Sequence, residues 1–99
     1  MRRVTRTAAA ERDYEAIMEW LYEHSPAVAE RFPRALDARC RRLASQPMTG
    51  RARDELRPGM RSIVVEYYVV YFTVADDEVL IRRIVHTSRD TDSASFDEA

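Results

Sequence analysis

Apolar and polar positions follow a helical period in the first half of this chain and a strand period in the second. Residues 2–7 read as a short strand, with Val4 its strongest β-former. From Ala8-Ala9-Ala10 to about His24, the apolar residues Ala10, Tyr14, Ile17, Met18 and Leu21 recur at helical spacing, while Glu11, Glu15, Glu19 and Glu23 mark a solvated face. Ser25-Pro26 then signals a second helix, with a side-chain N-cap followed by proline at the first helical position. This helix is predicted to run to about Ser45 with Phe32, Leu36, Cys40 and Leu43 on its buried stripe, so that the two helices form a tight antiparallel hairpin. Pro33 falls inside it. There it removes the bond to the carbonyl of Ala29 at a cost of about 3 kcal/mol, which predicts a kink or a short break between Ala29 and Pro33.

Gln46-Pro47 ends the helical half, Gly50 turns the chain, and Arg57-Pro58-Gly59-Met60 has the residue order of a type II turn. Three segments rich in β-branched and aromatic residues follow, Arg61–Val65, Tyr68–Val74 and 79–86. Glu66-Tyr67 joins the first two and residues 75–78 the next two. Glu-Tyr is a poor two-residue hairpin turn, so that junction is expected to shift by two residues. Tyr68–Val74 is apolar on both faces, as suits a central strand. Alternation in 79–86 puts Leu80, Arg82, Ile84 and His86 on one side and Val79, Ile81, Arg83 and Val85 on the other. One of Arg82 and Arg83 must therefore lie on the side the helices cover. The order β-α-α-β-β-β describes an α+β domain, a helical hairpin packed on an antiparallel sheet.

Composition narrows the function classes. The 99 residues leave room for one domain. The longest uncharged run, 67–75, is far short of the roughly 20 apolar residues of a membrane-spanning helix. Basic residues open the chain with no apolar stretch behind them, so no signal peptide is visible and a cytoplasmic protein is expected. The single cysteine, Cys40, excludes an internal disulfide and a four-cysteine zinc site, and its place on the buried stripe reads as a packed thiol. His24 and His86 lack metal-ligand spacing, and Gly50 and Gly59 cannot make a phosphate loop, so neither metal nor cofactor is expected.

The net charge of −1 conceals segregation. Residues 11–30 carry one Arg against six acids, 31–61 nine Arg against three acids, and 76–99 three Arg against seven acids. A basic middle between acidic flanks invites an acidic partner, whether a peptide or a phosphate backbone. Trp20 flanks the apolar stripe of the first helix, where core packing and a partner contact are both open readings. Arg61, a strand arginine, His86 and Arg89 form a candidate cationic surface, against the plainer reading of salt bridges to Glu66, Asp90 or Asp54.

Several runs taken together resemble the RelE/ParE toxin superfamily. They are Ser25-Pro26 with Ala29; Leu43, Pro47 and Gly50-Arg51; and Glu55-Leu56-Arg57 with Gly59-Met60-Arg61-Ser62. Tyr68-Val69-Val70-Tyr71, then Ile81, Arg83-Ile84-Val85-His86 and Arg89-Asp90, extend the likeness, which spans about Ala9 to Asp90 and lies closer to the ParE branch. The resemblance implies one toxin domain over 1–99 with a flexible tail at 91–99, the toxin half of a type II toxin–antitoxin pair. Members of the RelE branch cut mRNA in the ribosomal A site, using basic residues and a Tyr or His. Those of the ParE branch bind DNA gyrase and stabilise broken DNA, without a catalytic set of their own. The implied antitoxin is a dimeric DNA-binding protein whose flexible tail wraps the toxin.

Here Lys is absent, the segment after His86 turns acidic, and no Tyr lies in the tail. The leading reading is therefore growth inhibition by binding, with DNA gyrase as target and an acidic, ParD-like antitoxin as partner. The alternatives are a RelE-like ribosome-dependent mRNA endonuclease, with Arg61, Arg83, His86 and Arg89 as catalytic candidates, and a non-toxic antitoxin-binding module. Negative overall charge argues against strong autonomous nucleic-acid binding. The antitoxin is expected to set apolar anchors near Trp20 and Leu21 and acids on Arg31, Arg34, Arg51 and Arg53. The toxic surface is expected at Arg61, Arg83, His86, Arg89 and Asp90.

Overall fold

The computed structural model describes residues 1–89. In chain order they form β1 (Arg3–Arg6), α1 (Ala8–His24), α2 (Pro26–Ser45), a 3-10 turn (Pro47–Thr49), β2 (Arg51–Ala52), β3 (Arg61–Val65), β4 (Tyr68–Val74), β5 (Glu78–His86) and a second 3-10 turn (Thr87–Arg89). The expectations for Asp90 and for the tail 91–99 lie outside the described residues.

Thr7 starts α1: its hydroxyl accepts the amide of Ala10 at 3.1 Å and donates to the carbonyl of Arg82 at 3.0 Å, so one side chain caps the helix and ties it to β5. The expected side-chain cap at Ser25 is not made. Ser25 is the single residue between the two helices, and its backbone serves both. Its amide donates to Leu21 at 2.8 Å to close α1, and its carbonyl accepts from Ala29 at 2.9 Å to open α2.

Nor does α2 break at Pro33; it is helical throughout, with the proline inside. Phe32 and Leu36, 0% and 1% exposed, flank the proline and hold the helix on the core. Each contributes about 2 kcal/mol of apolar burial, together enough to offset the proline's cost. Ala29, Leu43 and Ala44 complete the buried face, whereas Cys40 is only half-buried at its margin. Burial pushes the Cys40 thiol up, away from its reactive form.

The sheet has five strands in the order β1-β5-β4-β3-β2. The helical hairpin packed on a sheet is as expected, with two differences. First, β1 pairs parallel to β5, so the sheet is mixed rather than wholly antiparallel. Second, the expected loop after Gly50 contains a short edge strand, β2, antiparallel to β3. Strand 79–86 also departs from strict alternation. Tyr71 pairs with Arg83 and Phe72 with Ile81, leaving Arg82 as an extra residue in a bulge. Past the bulge the faces exchange, so Ile84 joins Val79 and Ile81 in the main core under the helices.

A smaller core of Met60, Val69, Tyr71 and Val85, with Leu56 against it, covers the other face. The chain between β2 and β3 closes over this second core, and Met60 donates to the Arg57 carbonyl at 3.0 Å around Gly59 at φ 82, the expected type II turn. Glu66-Tyr67 joins β3 to β4 without the expected shift. Glu66 takes φ 55, which costs an L-residue about 1–2 kcal/mol, and its carboxylate is fastened to Arg31 of α2 at 3.1 Å.

Gly50 is required for space. A Cβ there would lie 2.6 Å from Cζ of Phe72 and 3.1 Å from the Ser62 carbonyl. Gly50→Ala is expected to cost about 1–3 kcal/mol by overpacking, read as a lower urea midpoint at unchanged m.

Candidate functional site

Arg83 faces α1. Its Nε and Nη2 donate to the two oxygens of Asp13 at 2.7 and 3.0 Å, and the Ile84 amide donates to the same carboxylate at 2.9 Å. Both side chains are over four-fifths buried. This bidentate pair clamps α1 onto β5 at the bulge, so Arg83 belongs to the framework. Arg82 points the other way and donates from Nε to Thr73 at 3.1 Å. Burial first, and the charge of Arg57 second, pull its guanidinium below the ordinary value.

Arg61 is likewise turned inward. Its Nη2 donates to the carbonyls of Met48 at 3.1 Å and Gly50 at 2.5 Å, closing the chain that follows α2. Arg53 is buried, 6% exposed; it donates to Glu55 at 2.9 Å and Ser62 at 3.3 Å and stands 5.3 Å from the Tyr71 ring centre. The hydrogen bond from Arg53 holds the Glu55 carboxyl below the usual carboxylate range.

The end of β5 is open to solvent. His86 packs edge-on against Tyr68, with ring centres 5.4 Å apart. Its Nδ1 takes the Ser88 amide at 3.1 Å and lies 2.8 Å from the Ser88 hydroxyl. A backbone amide can only donate, so Nδ1 is the acceptor in this contact. Arg89 follows, exposed, in the last 3-10 turn.

The residues singled out on the hairpin divide in two. Leu21 is 2% exposed and forms part of the main core. Trp20 is 53% exposed and stacks on His24 at 4.5 Å, with the His24 ring bonded to the Trp20 carbonyl. Arg31, Arg34 and Arg51 are exposed on α2 and β2. Arg34 meets Glu30 at 3.9 Å, a weak surface pair.

The structure thus brings His86 and Arg89 together at one end of β5. It does not assemble Arg61 and Arg83 with them into a cationic pocket. The partners that decide this, Asp13 and the carbonyls of Met48 and Gly50, left no local mark in sequence. Among the described residues no cluster of His, Cys, Asp or Glu is suited to a metal, and no helix is long and apolar enough to cross a membrane.

A family model described as the ParE toxin of the type II toxin–antitoxin system parDE matches residues 4–91. The chain is 30% identical over 86 residues to Toxin ParE1 of Mycobacterium tuberculosis, in strains CDC 1551 / Oshkosh and ATCC 25618 / H37Rv alike, covering 85% of this chain and 88% of each relative. Its fold is similar to a chain solved as the chromosomal ParDE TA system from P. aeruginosa. The TM-score is 0.68 at 24% identity, over 87% of this chain and 96% of that one.

Proposed function

We propose that this chain, which belongs to the ParE toxin family of type II toxin–antitoxin systems, arrests growth by gripping DNA gyrase in the cytoplasm. An acidic, ParD-like antitoxin holds it inactive. One observation carries the choice of binding over bond-breaking: three of the four candidate side chains for a phosphodiester-cleaving centre, Arg61, Arg83 and His86, are engaged within the domain. Such a centre needs cations around the phosphate and a base with a free lone pair. Arg83 holds Asp13, Arg61 holds two carbonyls, and His86 accepts an amide on Nδ1. The exposed end of β5, with His86 and Arg89, is the part of the expected toxic surface that meets the target, while Arg61 and Arg83 support it from inside.

For the antitoxin, Arg31, Arg34 and Arg51 offer charge and Trp20 an apolar anchor. Leu21 and Arg53 take no part, because both are buried. The test uses purified toxin. It is expected to inhibit supercoiling by gyrase and to raise the level of cleaved-DNA complex, and to lose both effects when the antitoxin is added. A toxin that leaves gyrase untouched and cuts mRNA on translating ribosomes would overturn this reading in favour of a nuclease. Normal growth on expression of the folded protein without its antitoxin would favour a non-toxic module.

A further inference from the structure

The two helices of the hairpin carry opposite charge. Along α1 stand five acids and one Arg, along α2 five Arg and two acids. Part of this is answered inside the chain: Glu11 holds Arg6, Asp13 holds Arg83, Asp37 holds Arg41 and Glu66 holds Arg31. Glu15, Glu19 and Glu23 are exposed and have no ion pair among the described residues, so the outer side of α1 stays acidic even with Arg12 beside them. On α2, Arg34 meets Glu30 at 3.9 Å, Arg39 donates to the Val64 carbonyl at 2.9 Å, and Arg42 is exposed, so that helix stays basic. Two large aromatic side chains, Trp20 and Tyr22, stand more than half exposed near the end of α1.

A partner of one sign suits one of these helices and repels the other. A second copy of the chain suits both. About a two-fold axis running along the hairpin, α1 of each copy lies on α2 of the other, whereas an axis across the hairpin would set like charge on like. Ser25 is the single joining residue, so residues equally far from it on the two helices stand at about one level. Glu19 and Arg31 are level by this measure, and Glu15 stands beside Arg34. The axis therefore brings Glu19 to Arg31 and Glu15 to Arg34 of the other copy, each contact made twice. Trp20 and Tyr22 come to the opening turn of α2, where the exposed Ala27 leaves them room.

We propose that two copies of this chain form a two-fold dimer through the outer face of the helical hairpin, α1 of each on α2 of the other. Opposite charge sets the pairing, and the two aromatic side chains supply its apolar centre. The inference goes beyond the toxin–antitoxin reading and does not depend on it. Trp20, Arg31 and Arg34, assigned above to the antitoxin, lie on the same face, so each chain meets either a second copy or the antitoxin there.

The experiment is sedimentation velocity on the purified full chain at about 0.1 mM, a concentration that populates a contact of micromolar affinity. It is run in about 0.05 M and about 0.5 M salt, between which the screening length falls about threefold. A species of twice the 11.5 kDa chain mass is expected in low salt, weakened about tenfold in high salt. Glu15→Arg sets Arg against Arg34 twice in each dimer and is expected to weaken it about tenfold at unchanged Tm; adding Arg34→Glu restores it. Trp20 is the single tryptophan of the chain, and its emission is expected to move to shorter wavelength as the dimer forms. A chain that stays monomeric in low salt overturns the inference. So does a dimer that Glu15→Arg leaves unaltered, a dimer that forms with the Trp20 emission unchanged, or an open series of larger species in its place. The toxin–antitoxin reading stands in each of these cases and is decided by the gyrase assay.

Discussion

Asp13→Ala is expected to lower the unfolding free energy by about 3 kcal/mol, a large part of what a domain of this size has to lose. The carboxylate takes two hydrogen bonds from Arg83 and one from the Ile84 amide, and only 17% of its side chain is exposed. Its removal strips Arg83 of a bidentate acceptor and leaves the Ile84 amide unbonded in a part-buried place. Such a loss exceeds the net worth of the pair itself. The corresponding fall in Tm is about 12–24 °C, measurable by calorimetry. Replacing both partners together, Asp13→Leu with Arg83→Met, should recover the part of the loss that comes from the stranded Arg83 charge, while the Ile84 amide stays without its acceptor. A double variant no more stable than Asp13→Ala would refute this account. The same result bears on function: loss of toxicity in an Arg83 variant must be measured against the amount of folded protein before the residue is assigned to a target contact.

Phe32→Ala is expected to cost as much or more, about 3–5 kcal/mol by urea denaturation. The ring is fully buried, 4.9 Å from the Tyr68 ring and 6.2 Å from that of Tyr14, so it fills the space where α1, α2 and β4 meet. Tyr68 in turn supports His86 edge-on. The cavity should therefore also move the His86 ring resonances, although Phe32 and His86 share no contact in this chain of rings. A loss under about 1.5 kcal/mol would mean that the neighbouring rings collapse into the space and the junction is not tightly determined.

Most of the element order was legible because it is written locally. The apolar spacing from Ala10 to Leu21, the Ser25-Pro26 start, and the β-branched runs at Arg61–Val65 and Tyr68–Val74 each report on residues a few positions apart. What was not legible depends on residues far apart. Nothing near Arg83 announces Asp13, seventy positions away, and nothing in Arg3–Arg6 tells that its neighbour is β5. No break occurs at Pro33, because the burial of Phe32 and Leu36 outweighs a local cost. The bulge at Arg82 misled because alternation was assumed to continue through it, which sent Ile84 to the wrong face.

The surroundings of the candidate site residues were less legible than the fold for the same reason. Arg61, Arg83 and Arg53 look alike in a sequence, as cations available to a partner, and only their acceptors distinguish a structural arginine from an exposed one. Arg31, Arg34, Arg51 and Arg89 remain at the surface.

The parallel pairing of β1 with β5 joins the first strand to the last one among the described residues. During translation β1 must wait, unpaired, until β5 has cleared the exit tunnel, because no earlier strand offers it a ladder. Loop closure over such a separation is slow and comes late. A nascent chain interrupted anywhere before β5 holds an unfinished sheet, so messages broken partway yield no finished copies of this fold.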